Sequence, residues 1–187
     1  MMVIDRAPAW RRICATVLDN SVAALPLALV AGVNIAVSRS GRNPPIVLSG
    51  QRARQLVPWC VTLPAATLLG LVESRGGSPG KRIMGLTLVE HGGNRPVHTG
   101  RSLRRSLLKT ALPWELGHQA VWEFKRGTPR HGKVLAVASL ALLGAQVAGA
   151  LRGEGRTYPD LLSGSTVAVE RDLSAPPRLA PDQTYKT

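Results

Sequence analysis

The chain has 187 residues and sets 24 basic side chains against 11 acidic ones, a formal charge of +13. Its seven aromatic residues form no stacking series. Its basic residues crowd the segments between apolar stretches, which argues against a nucleic-acid surface built on basic and aromatic alternation. Cys14 and Cys60 lie inside apolar stretches with no Cys-x-x-Cys, and His91, His98, His118 and His131 lack zinc-site spacing. The cysteines therefore read as small buried hydrophobes, and neither a disulfide, a metal nor another cofactor is expected.

The first apolar stretch, residues 13–37, is ICATVLDNSVAALPLALVAGVNIAV, with Asp19 as its only charge. It meets the length of about 20 residues that a bilayer requires. A cleaved signal peptide is the competing reading, but its apolar region would be about 7–15 residues with no central carboxylate. Arg12, Thr16 and Asp19 stand at i, i+4 and i+7, so they share one helical face, with Asn20 one step around. A carboxylate held in lipid costs about 2.5–3.5 kcal/mol on insertion scales, so Asp19 is expected to face protein or a wet cavity and to have a partner. That partnership serves either an ion or proton site or a buried pair that locks helix orientation.

Residues 55–72, QLVPWCVTLPAATLLGLV, form a second uncharged stretch. Pro58 and Pro64 suit a membrane helix whose neighbours satisfy the freed carbonyls. The segment that follows contains GSPGK. A phosphate loop would need glycine where Arg75 stands and serine or threonine where Arg82 stands, so nucleotide binding here is excluded. Residues 86–89 lean towards a strand, HGGN marks a turn, and residues 95–98 are placed to return as a second short strand. Arg101, Arg104, Arg105 and Lys109 then follow at helical spacing, with Leu103 and Leu107 opposite. With Lys81 and Arg82 they form a basic face expected to meet anionic lipid or a partner, or simply to fix topology.

Residues 107–124 are less apolar and either span the membrane or lie at its surface, with Trp114 and Trp122 suited to an aromatic belt. Glu115 and His118 stand at i, i+3. A proton relay is one reading, and a polar face at the membrane surface is the favoured one. Residues 134–151 form the cleanest span, with small residues suited to close helix contact. Residues 172–187 are rich in proline and polar residues and read as a disordered tail after a domain covering residues 1–171. With four spans and both termini in the cytoplasm, inside segments carry twice as many Lys and Arg as outside loops. No nucleophile–base–acid set emerges, and no enzyme is expected.

Three stretches together resemble the RDD family of membrane proteins: WRRICATVLDN, SPGKRIMGLTLVE and YPDLLSGSTVAVE, in the family's order. The arginine and two aspartates of the family's name fall on Arg12, Asp19 and Asp160. Pro159 stands where the family usually has histidine, Leu161 where a basic residue is common, and Ser165 where threonine is usual. The resemblance implies an inner-membrane protein and, from some members, cation/proton antiport. Residues 166–169 lean towards a strand, like residues 86–89. Pairing of the two would bring Asp160 near Lys81, Arg82 or Arg12. The expected architecture is thus an all-α membrane protein, a bundle of four helices or of three spans plus a surface helix, with a small cytoplasmic β element. Two functions follow. A cation/proton exchanger, alone or as a homo-oligomer, would use Asp19 with Asn20 and Thr16 as neutral ligands, Arg12 tuning the carboxylate. A non-transporting adaptor would bind anionic lipid or another membrane protein. Nucleic acid is not an expected partner.

Overall fold

A computed structural model describes residues 7–40, 50–93, 95–152 and 155–169. The tail expected to be disordered lies outside the described residues. The first helix, α1 (Ala9–Arg39), starts after the extended Pro8 and runs for 31 residues, about 45 Å at 1.5 Å per residue. A second helical stretch follows: α2 (Gly50–Val57), a π-helical turn at Pro58–Thr62, then α3 (Leu63–Ser74). Pro58 and Pro64 each lack an N–H, and the wider turn between them absorbs the lost hydrogen bonds. A short α4 (Pro79–Ile83) leads into β1 (Leu86–Glu90). The third helical stretch is α5 (Thr99–Ser106), a second π-helical turn at Leu107–Ala111, and α6 (Leu112–Lys125). Then come α7 (Pro129–Leu151), α8 (Tyr158–Ser163) and β2 (Ser165–Val169).

Among the described residues, two helices, Arg54–Ser74 and Pro129–Leu151, are long and apolar enough to cross a membrane. Only 17 % and 11 % of their most apolar windows is buried, the reverse of a core helix in water. Leu68, Val137, Leu140 and Leu151 stand out from these helices, as do Leu25, Leu29 and Val33 from α1. Exposed apolar side chains on this scale call for a non-aqueous neighbour. The helices meet through small and polar groups. The Ser102 hydroxyl donates to the Gly70 carbonyl at 2.8 Å, and Ser106 to that of Ala66 at 2.7 Å. A methyl at Gly70 would come within 3.0 Å of the Leu103 backbone, so glycine there lets α3 and α5 approach. The Ser139 hydroxyl on α7 donates to the Pro113 carbonyl at 2.7 Å, satisfying a group near the second π turn.

The two strands pair antiparallel, with Leu86 opposite Val169, Leu88 opposite Val167 and Glu90 opposite Ser165. The expected pairing of residues 86–89 with 166–169 therefore occurs. The return strand expected at residues 95–98 shortens to one bridge, Val89 to Pro96. Leu86, Leu88, Val97 and Val167 pack with Ala7, just before α1, and with Ala15 inside it. This small apolar core seats the start of α1 on the sheet and turns Arg12 and Asp19 towards the neighbouring helices.

Candidate functional site

Asp19 lies in the third turn of α1 and is 1 % exposed. The turn before α4 takes up both its oxygens. The Gly80 N–H donates to Oδ1 at 2.8 Å and the Ser78 hydroxyl to Oδ2 at 2.6 Å. Ser78 is extended, and Pro79 opens the helix with its φ already set, so the Gly80 N–H points outward without a helical partner. A Cβ at Gly80 would overlap the Ala15 carbonyl oxygen and lie 2.9 Å from Asp19 Oδ1. The SPGK sequence, rejected above as a nucleotide loop, thus acts as a carboxylate clamp.

Cations close the other side. Lys81 Nζ donates to Ser78 Oγ at 3.0 Å, pairs with Glu73, and lies 3.5 Å from Asp19 Oδ2. Lys109, carried by the second π turn, places Nζ 3.5 Å from the same oxygen and 4.0 Å from Glu73 Oε1. Arg105 joins this group to Asp160. Its terminal nitrogen donates to both Glu73 oxygens, at 3.0 and 2.9 Å, and its Nε donates to Asp160 Oδ1 at 2.6 Å. Asp160 Oδ2 accepts from Arg12 at 3.1 Å, from the Thr157 N–H at 2.9 Å and from the Thr157 hydroxyl at 2.7 Å. Asp160 is the third residue of α8 in a capping box with Thr157, so the carboxylate that starts α8 also anchors two arginines.

Burial pushes the Asp160 carboxyl up, but Arg105 and the Thr157 hydrogen bonds outweigh it and hold the group below its ordinary 3.8. Burial raises the neighbouring Tyr158 phenol, whose hydroxyl donates to the Leu108 carbonyl at 2.6 Å. Glu73, Lys81, Arg105 and Lys109 are all buried, as are Asp19 and Asp160. With Arg12 they set four cations against three carboxylates, so the cluster carries one excess positive charge.

The structure brings Arg12, Asp19 and Asp160 into this one cluster. Thr16 lines the cavity beside it. The Asn20 side-chain oxygen is buried without a hydrogen-bond partner among the described residues, so it accepts no hydrogen bond from the cluster there. Lys81 and Arg105, read as lipid- or partner-facing, are instead 3 % exposed because buried carboxylates recruit them. Arg82 and Arg104 are exposed, and Arg101 pairs with Glu90 at the surface at 3.1 Å. The face of residues 101–109 is partly inverted: Arg105 and Lys109 turn inward, while Leu107 is exposed. Cys60, read as buried, is exposed.

The sequence reading missed Glu73, Lys109, Ser78 and Gly80 as members of the site. A signal was present for Glu73: it directly ends the uncharged run of residues 55–72, so like Asp19 it adjoins apolar sequence and calls for a partner. Glu115 and His118 belong to a separate polar seam. His118 Nδ1 lies 3.6 Å from Glu115, His118 Nε2 accepts from the Trp122 indole at 2.7 Å, and Gln119 bridges Glu115 to Arg54. Arg54 also pairs with Glu123 at 3.0 Å, tying α2 to α6.

No curated protein and no solved structure matches the chain. The family model described as the RDD family matches residues 6–164, a region that contains β1, the SPGK clamp and every member of the charged cluster. By that match the chain belongs to the RDD family, whose members are generally membrane-associated.

Proposed function

We propose that this protein crosses the cell membrane several times and acts as a non-transporting adaptor, its basic cytoplasmic face engaging anionic lipid or a neighbouring membrane protein. In this reading α1, the stretch from α2 to α3, the stretch from the second π turn through α6, and α7 are the four spans. Both termini lie in the cytoplasm, and the chain performs no catalysis. The observation that carries it is the saturation of Asp19. One oxygen is held by Gly80, the other by Ser78 with two ammonium groups 3.5 Å away. A bound monovalent cation would add to a cluster that is already net positive, and Coulomb repulsion at low dielectric opposes that. Exposed Arg82, Arg101 and Arg104 remain to meet lipid phosphates.

A second reading, exchange of a monovalent cation for a proton, is supported by the same two lysines. Each is longer than a direct hydrogen bond from Asp19, so loss of a proton from one would open a place for a cation beside the carboxylate. Sodium-driven proton movement in proteoliposomes separates the readings. The adaptor reading expects no exchange above empty vesicles. Exchange by the wild type that disappears in Asp19→Asn would establish the second reading and discard the first.

A further inference from the structure

The four cations of the cluster have a side that faces away from their carboxylates. Arg12, Lys81, Arg105 and Lys109 all line a cavity of about 130 Å³ between α1 and α7, and among the described residues no aspartate or glutamate lines it. Thr16, Gln146 and Thr157 add polar groups to the same wall. The excess positive charge of the cluster is therefore presented to this space. Two donors there are incompletely used. Arg12 Nε is buried with no acceptor among the described residues. Lys109 Nζ reaches its carboxylates only at 3.5 and 4.0 Å, longer than a good charge-assisted hydrogen bond. The volume holds several waters or a tetrahedral oxyanion, well above the 10–15 Å³ or so that one water needs.

We propose that this cavity binds a phosphate group. A phosphate would neutralise the odd charge and accept from Arg12 and Lys109, which the three carboxylates leave unsatisfied. Guanidinium and ammonium groups together suit phosphate oxygens. The rest of the wall is apolar and includes Ile13, Val17, Val147 and Ala150. Val17 and Val147 are 59 % and 47 % exposed on the outer surface, so the cavity has an apolar flank between two long helices. That flank suits a phosphate carried on an acyl chain better than a free ion. The site is separate from the exposed face invoked for the adaptor, since Arg82, Arg101 and Arg104 do not line it.

Calorimetric titration of the full-length protein, held in phosphatidylcholine nanodiscs, tests this with two ligands: dihexanoyl phosphatidic acid and inorganic phosphate. The expected result is saturable binding of one phosphatidic acid. Lys109→Met should weaken it about tenfold or more, the worth of a charged hydrogen bond. Val147→Trp fills the flank without touching a charge. It should weaken the lipid comparably, and it decides the matter if Lys109→Met fails to fold. Replacing Arg82, Arg101 and Arg104 by glutamine should remove only the weak, salt-screened attraction of the exposed face for anionic lipid and leave the saturable one-site component, so loss of the adaptor face and loss of the cavity site read out separately. Weak or absent competition by inorganic phosphate assigns the site to lipid, and equal competition assigns it to the free ion. Absence of binding by either ligand, or binding indifferent to both cavity variants, would overturn the proposal.

Discussion

Asp160 shows how one buried side chain can hold three parts of a chain. It caps α8 through Thr157, receives Arg105 from α5 and receives Arg12 from α1. Taking these charges out of water costs several kcal/mol each, so the cluster adds little net stability compared with a packed apolar core, and removing one partner is what costs. Because the folded carboxyl lies below its ordinary 3.8, the folded state holds that proton less well than the unfolded chain. The stability it contributes is therefore complete above that ordinary value and is lost as pH falls through the lower, folded value. Thermal unfolding in detergent is expected to show Asp160→Asn less stable than wild type by about 3–5 kcal/mol near neutral pH. The wild type should lose stability more steeply on acidification, so the two converge. Parallel acid slopes would assign the acid sensitivity to other groups.

At the scale of elements, the SPGK turn and the two π turns position the site. Serine before proline sets an extended residue and then a helix start, leaving the Gly80 N–H for Asp19. The second π turn carries Lys109 inward and leaves carbonyls that neighbouring elements satisfy: Tyr158 donates to Leu108, and the Gln146 amide donates to Lys109 at 3.1 Å. Gly80→Val would force α4 away from α1, because its side chain meets the Ala15 backbone rather than a flexible side-chain end. The expected loss is about 1–3 kcal/mol, typical of overpacking, measured as a lower unfolding midpoint. Gly32→Ala is the control, since nothing lies within 4 Å of a Cβ there, and it should be neutral or stabilising. Equal effects of the two would show that the α1–α4 contact is not the constraint.

For the molecule as a whole, the long helices turn apolar side chains outward and enclose one buried charged cluster, while exposed basic residues such as Arg82 and Arg104 lie off those apolar faces. That arrangement inverts a water-soluble domain and follows from lipid being a poor solvent for ions. The charged cluster also lies at the end of the helices that carries the sheet and α8, the end that the proposed topology places on the cytoplasmic side. Single cysteines in a Cys14→Ala, Cys60→Ala background should report this with a membrane-impermeant maleimide. Positions near residue 45, and Arg126→Cys, are expected to label from outside in intact cells, and Arg95→Cys only after permeabilisation. The reverse pattern would invert the proposed topology.

Several features were legible in the chain itself. Uncharged runs near residues 55–72 and 134–151 specify helices that seek lipid, because their length and composition leave no aqueous face. A lone Asp19 in such a run requires a partner, whatever the fold. The lean of residues 86–89 and 166–169 towards strands, set beside the family pattern, was enough to expect their pairing. Tertiary structure alone decided which partner each charge takes. Arg12 and Asp160 are 148 positions apart, and Arg105 and Glu73 are 32 apart. Spacing along one chain carries no information about such distances. The same reason explains Lys81 and Arg105: helical spacing groups Arg105, and its place in the basic segment groups Lys81, with an exposed basic face, but where buried carboxylates await them, Coulomb attraction at low dielectric draws them inside.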